Sequence, residues 1–440
     1  MAKFSKTTIR GFPWNRLWFL FCALFIYRLG AHIPIPSINY SQLTKLFEKN
    51  QNNILGMFNM FSGGALSRLT IFSLGIMPYI SSSIIMQLLS SIMPKFENLK
   101  KEGELGKYKI AQYTRFSTLI LAILQGSGIS LILKFQKNLV LDTSFYFHFT
   151  TVLTLVSGTI FLMWLSEQIT EYGLGNGTSI IICSGIISSF PNILINLLKL
   201  VKIDLVNVLL TILISLLLLI ITYFVIFIEC GQRKILINYI RKEANNKIYS
   251  NKRSYLPLKL NIAGVIPAIF ASYIILFPIT IIGWFLSFYN KNNFFTIFLK
   301  NLISLVAPGK LIHSILYTIA IIFFSFFYAT LIFNSKETAD NLKKSGAFIP
   351  GIRPGYQTIR YINNIIMRLT LAGSIYIAFI CLIPEFFIYK FNVPFYCGGT
   401  SLLIVIIVTI DFLTQIQNHI LSQKYKSLFR KINFKKNIFY

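Results

Sequence analysis

The chain has 440 residues, of which 55% are hydrophobic and 13% charged, and its 42 Lys and Arg against 14 Asp and Glu give a formal net charge of +28. A soluble domain carries about a quarter charged residues, so this composition argues against a water-soluble enzyme. The positive charge gathers in a few segments between apolar stretches, which argues against a continuous nucleic-acid-binding surface.

Crossing the hydrocarbon core of a bilayer takes about 20 mostly apolar residues in a helix. Ten stretches qualify: 17–35, 71–93, 117–135, 150–169, 178–199, 204–228, 262–288, 311–333, 365–388 and 400–420. The first follows a basic segment (Lys3, Lys6, Arg10, Arg16). It has no small-residue cleavage site and nine spans come after it, so it reads as retained rather than as a signal peptide. Residues 36–70 follow Pro34 and Pro36 and end in MFNMFSGGALSRL, Met57 to Leu69. That piece is too short to span, and Gly63, Gly64 and Arg68 suit lipid poorly. It is either re-entrant and buried in protein or an interfacial helix outside the membrane.

The second span carries Pro78, Ser81, Ser82, Ser83 and Gln87, polar residues that suit a face turned to protein or water. Pro78, with Pro267 and Pro278 of the seventh span, is expected to bend its helix. Ile76 and Ile80 share a helix face, as do Thr178 and Ile182, but this spacing says little in so isoleucine-rich a chain. Gly173, Gly175 and Gly177 read as a tight turn between the fourth and fifth spans, since neither a preceding strand nor a phosphate-binding Lys accompanies them. Ionisable residues within spans are few, Arg28, Glu167 and Asp411 among them. A proton-driven transporter needs a relay of several, so their scarcity weakens that reading.

The polar segments 229–261 and 334–364 are natural docking surfaces for a soluble partner, and the first contains Arg233, Lys234 and Arg241. With ten spans, the basic ends and loops fall on one side. The excess of Lys and Arg makes that side the cytoplasm, which holds both termini, and their simplest use beyond topology is contact with anionic lipids. Five scattered cysteines imply neither disulfides nor a metal site, and the absence of a GxxxxGK[ST] motif leaves no nucleotide cradle. No cofactor is expected. Ten spans divide into five plus five, which implies inverted halves, here 1–200 and 201–425 with a basic tail at 426–440.

Six strings then name a family: MFNMFSGGALSRLTIFSLGIMPYISSSIIMQLL, KKEGELGKYKIAQYTR, FLMWLSEQITEYGLGNGTSI, LPLKLNIAGVIPAIFAS, FNSKETADNLKKSGAFIPGIRPG and VPFYCGGTSLLIVIIV. They resemble the SecY family, central subunits of the bacterial protein-translocation channel, from about Leu17 to Tyr425. The resemblance implies an all-α polytopic protein of the bacterial inner membrane, with ten transmembrane helices in two inverted halves around a central pore with a lateral gate. It implies a pore ring of Ile76, Ile80, Thr178, Ile182, Ile269 and Ile404, where Thr178 replaces the usual apolar residue. That hydroxyl either makes the ring slightly wetter or bonds back to a carbonyl one turn earlier.

It further implies a plug formed by Met57, Phe58, Asn59, Met60, Phe61, Ser62, Gly63, Gly64, Ala65, Leu66, Ser67 and Arg68. Ser81, Gln87 and Phe277 match the lateral gate, and Arg233, Lys234, Arg241 and Arg353 match the surface that receives the SecA motor or the ribosome. Cys230 and Tyr356 depart from the family at that surface. The implied partners are SecE-type and SecG-type subunits, SecA, the ribosome and unfolded secretory and membrane-protein chains, with no nucleic acid apart from ribosomal RNA. The rival reading is a secondary transporter of small solutes, for which the span-two serines and Asp411 make a poor site.

Overall fold

The computed structural model describes residues 13–36, 38, 42–43, 59, 62–135, 145–202, 208–239, 254–288, 294–306, 310–391 and 399–436. Each of the ten predicted stretches contains a helix: α1 (Trp14–Gly30), α2 (Met77–Ile92), α4 (Glu104–Phe135), α5 (Phe145–Tyr172), α6 (Gly177–Lys202), α7 (Val208–Glu229), α8 (Ile266–Phe288), α10 (Leu311–Ile332), α12 (Tyr356–Phe391) and α13 (Gly399–Lys436). Three shorter helices, α3 (Pro94–Lys101), α9 (Phe294–Val306) and α11 (Ser335–Lys344), lie between them. Among the described residues six helices are long and apolar enough to cross a membrane by length and composition, with shorter apolar helices at Gly177–Pro191 and Ser215–Glu229. Hydroxyls within them bond back along their own helix, as Thr150 Oγ1 does to Tyr146 O (2.9 Å) and Thr154 Oγ1 to Thr150 O (2.9 Å). Lipid offers no such partner, so these bonds let polar residues ride in an apolar helix.

The structure corrects the expectation for span two. Residues 71–76 are turns, and the α-helix starts at Met77. Pro78 therefore sits in the first turn, where its missing N–H removes no helical hydrogen bond. Pro267 has the same position in α8, which starts at Ile266, so neither proline bends its helix from within. Pro278 of α8, Pro191 of α6 and Pro384 of α12 are the ones inside helices.

Two compact units divide the chain, one of Met1–Asn196 with Ile404–Tyr440 and the other of Leu197–Leu403. In the first, α4 packs on both α2 and α5, and α5 also packs on α1. Ile35, Leu69, Leu74, Leu133, Phe147 and Leu155 form part of its core. Gly158 of α5 permits a close approach: a Cβ there would lie 2.2 Å from the Ile71 carbonyl oxygen. The 38 residues of α13 form one continuous helix, about 57 Å at 1.5 Å per residue, against a hydrocarbon core of about 30 Å. Much of the basic tail is thus a continuation of this helix.

In the second unit α10 packs on both α8 and α12. The polar segments predicted as docking loops share a sheet, an addition to the all-α expectation. Strands β1 (Gln232–Tyr239), β2 (Ser254–Lys259) and β3 (Ala347–Phe348) form an antiparallel sheet in the order β2-β1-β3. Lys234 pairs with Pro257, and Tyr239 with Ala347. Pro257 is tolerated because β2 is an edge strand. Ile235 and Leu258 of the sheet pack with Ile349 and with Ile362, Ile365, Ile366 and Leu369 of α12.

Candidate channel site and its docking surface

The residues just after α1 pair with those just before α2. Ile35 N donates to Leu69 O (2.9 Å) and Ile71 N to Ile33 O (3.1 Å), a short antiparallel clasp around the Pro34–Thr70 bridge. Leu69 has a φ of +44°, a left-handed backbone that disfavours a branched side chain, and it is 1% exposed.

Of the predicted plug, Met57, Phe58, Met60 and Phe61 lie outside the described residues; Asn59 and Ser62 through Arg68 lie within them. Ser62, Gly63, Ala65 and Leu66 are buried and Arg68 is exposed. Ser62 through Leu69 form consecutive turns. Leu69 is buried as well, while Gly64 and Ser67 are half-buried.

The six ring candidates all lie at the beginnings of helices. Ile76 is the N-cap of α2, and Ile80 N donates to its carbonyl (3.1 Å). Thr178 and Ile182 open α6, Ile269 opens α8 and Ile404 is near the start of α13. Ile76, Ile182 and Ile404 are buried, while Ile80, Thr178 and Ile269 are half-buried. Ile269 belongs to the second unit and the other five to the first.

The Thr178 hydroxyl bonds to Asn176 Oδ1 (2.8 Å) and not to a backbone carbonyl one turn earlier. Asn176 also accepts Thr178 N (3.2 Å), which caps α6. The glycine turn before it is as tight as predicted. Gly175 has a φ of +91° and donates its N–H to Gln415 Oε1 of α13 (2.6 Å), and Gly177 N donates to Thr170 Oγ1 of α5 (2.9 Å).

Among the gate candidates, Ser81 is buried and donates to Met77 O (2.9 Å), Gln87 is exposed, with Nε2 3.4 Å from Ser83 Oγ, and Phe277 on α8 is exposed. The neighbouring Ser82 does more structural work: it donates to Thr114 O of α4 (2.6 Å) and contacts the Ser117 hydroxyl. Glu167 forms an ion pair with Arg115 of α4, a partner 52 residues away that no sequence pattern announced. On the docking surface Arg233 and Lys234 are exposed on β1, Arg353 is exposed in the turn before α12, and Arg241 lies outside the described residues. Arg353 O accepts the Thr358 hydroxyl (3.0 Å), which ties this turn to α12. Cys230 and Tyr356 are both exposed, as surface departures should be. Among the described residues no three His, Cys, Asp or Glu are grouped to hold a metal ion.

A many-spanning helical protein with largely buried turns between its first two long helices and a small sheet carrying exposed basic residues is of the channel class, and known folds agree. A solved structure titled "The structure of a protein conducting channel" matches with a TM-score of 0.63 at 18% identity, covering 92% of each chain. One whose title concerns the plug domain of SecY matches equally well, at 19% identity and 92% of each chain. The SecY family model matches residues 70–413. Relatives named protein translocase subunit SecY are 51% identical over 424 residues in Escherichia coli K12, covering 96% of this chain and 95% of that one, and 49% identical over 422 residues in Pseudomonas aeruginosa, covering 96% and 94%. The chain belongs to the SecY family.

Proposed function

We propose that the chain is the pore-forming subunit of a protein translocase, conducting unfolded polypeptides across the membrane and releasing apolar segments sideways into lipid. The observation that carries this is identity of about half over nearly the whole length of translocase subunits. A ring of Ile76, Ile80, Thr178, Ile182, Ile269 and Ile404 would exclude ions by dewetting and yield around a chain without binding it. The 57–69 segment would seal the resting pore, and Ser81, Gln87 and Phe277 would belong to the seam of a lateral gate. An apolar stretch reaching that seam partitions into lipid because its backbone is already satisfied as a helix.

The chain would act as a passive conduit rather than as an enzyme, with energy coming from a SecA-type motor, a ribosome or the membrane potential. The solved neighbours include Sec61 in a canine ribosome–channel complex, which supports a ribosome as partner. Arg233, Lys234, Arg241 and Arg353 would contact such partners, and SecE-type and SecG-type subunits would complete the complex. The chain would sit in the bacterial inner membrane, and its basic segments favour an orientation with both termini cytoplasmic.

The test is protease protection of a secretory precursor in vesicles containing the complex, with SecA and ATP. Protected precursor that disappears when this chain is depleted supports the reading. Equal protection after depletion contradicts it.

A further inference from the structure

The turns from Ser62 to Leu69 are held differently at Leu69 and at Ser62–Gly63. At Leu69 the clasp to α1's outgoing strand uses bonds of 2.9 and 3.1 Å. At Ser62–Gly63 the holds are long. Tyr27 Oη donates to Ser62 O at 3.4 Å, Arg28 Nη1 to Gly63 O at 3.4 Å and Ser188 Oγ to Gly63 O at 3.4 Å. Two consecutive carbonyls are thus gripped by donors from α1 and α6. Gly63 has a φ of +67°, and a Cβ on it would lie 2.8 Å from Ser188 Oγ and 3.0 Å from Gly185 Cα, so the segment's backbone rests directly on α6.

Inside the segment the bonds are shorter. Ser67 N donates to Asn59 Oδ1 (2.8 Å), Ser67 Oγ to Gly64 O (2.9 Å) and Leu66 N to Ser62 Oγ (3.2 Å). Ser73 Oγ adds a 3.1 Å bond to Ala65 O, so the shorter outside bonds lie towards the clasp and the long ones at Ser62–Gly63, where a piece held in this way yields first. Arg28 explains itself in this scheme. A guanidinium within a membrane span is costly without a partner, and a charge-assisted bond ordinarily closes to 2.7–2.9 Å, so at 3.4 Å this one holds loosely.

We propose that Tyr27, Arg28 and Ser188 form a release catch on the Ser62–Gly63 carbonyls, with Arg28 setting how readily the segment swings away about Leu69. This rests on the reading of 57–69 as the seal of the pore. Arg28 is a positioning residue for that seal and does not contact the translocating chain in the resting state.

The test is iodide flux through the complex purified from its membrane and reconstituted into vesicles without motor or substrate, with and without residues 57–69. Deletion alone should raise the flux; if it does not, the seal reading fails. Given that rise, Arg28→Gln should increase flux in the intact channel on the order of tenfold, as expected for loss of one charge-assisted bond. Tyr27→Phe and Ser188→Ala should increase it less, and Arg28→Lys should restore most of the seal. In the channel lacking 57–69 none of these should add flux. A tight Arg28→Gln channel, or an equal increase in both backgrounds, overturns the catch. If Arg28→Gln fails to assemble, Ser188→Ala, which removes one hydroxyl, decides it by the same comparison.

Discussion

The Arg115 guanidinium grips both oxygens of the Glu167 carboxylate, Nε to Oε1 at 3.0 Å and Nη2 to Oε2 at 2.8 Å. Two parallel bonds fix orientation as well as distance, so the pair sets the register of α4 against α5. Solvent limits its worth, because the side chains are 43% and 26% exposed. Glu167→Gln should cost about 1 kcal/mol, read as a small fall in the thermal midpoint of the purified complex. The double variant with Arg115→Gln should fall little further than either single one. Fully additive losses would mean that the two residues do not act as a pair.

Gly158→Ala should be far more damaging than an alanine in a membrane helix usually is. The new Cβ would meet a backbone carbonyl, which unlike a side chain cannot rotate away. Overpacking of this kind costs about 1–3 kcal/mol, and the complex should lose protease resistance. Unchanged resistance would show that α5 does not approach Ile71 so closely.

At Leu69 two effects oppose one another. Glycine would relieve a left-handed backbone strain of about 1–3 kcal/mol, but removing a fully buried leucine costs about 2–5 kcal/mol. Packing should win, so Leu69→Gly lowers stability, measured by thermal aggregation of the purified complex. A net gain would mean that strain outweighs burial at this position.

Thr178→Val tests whether the hydroxyl wets the proposed ring. Because Asn176 already satisfies that hydroxyl, resting ion flux should barely change, while loss of a bond in the α6 cap should cost up to about 1 kcal/mol. A clear fall in flux would show that the hydroxyl faces the pore.

Arg353→Glu places an acid on an exposed turn that packs nothing through its side chain in the core of the sheet. Folding should persist and SecA-driven export should fail, read by precursor protection in vesicles. Normal export would refute the docking role.

Much of this was legible in the sequence. Apolar length alone located every helix predicted as a span, and the close-set glycines announced the turn at Gly173–Gly177. What escaped depends on partners distant along the chain. Nothing local says that Glu167 meets Arg115, that Arg28 reaches Gly63 or that Tyr239 pairs with Ala347 across more than a hundred residues. Pro257 hides β2, because its edge position is visible only once the sheet is built. The start of α2 was misjudged because residues 71–76 are as apolar as a helix. Hydropathy cannot separate buried turns from helix; the Gly75 φ of +58° and the N-terminal position of Pro78 do.

The central claim is that a polypeptide passes through this chain. It is tested most directly by photo-crosslinking from a probe at Ile80, which is half-buried, whereas Ile404 is too buried to admit a bulky group. With a secretory chain stalled by a folded C-terminal domain in the presence of SecA, the probe should crosslink to that chain, and a probe at the exposed Ile220 on α7 should crosslink only to lipid. A stalled chain that crosslinks from neither position, or equally from both, would contradict a pore lined by α2.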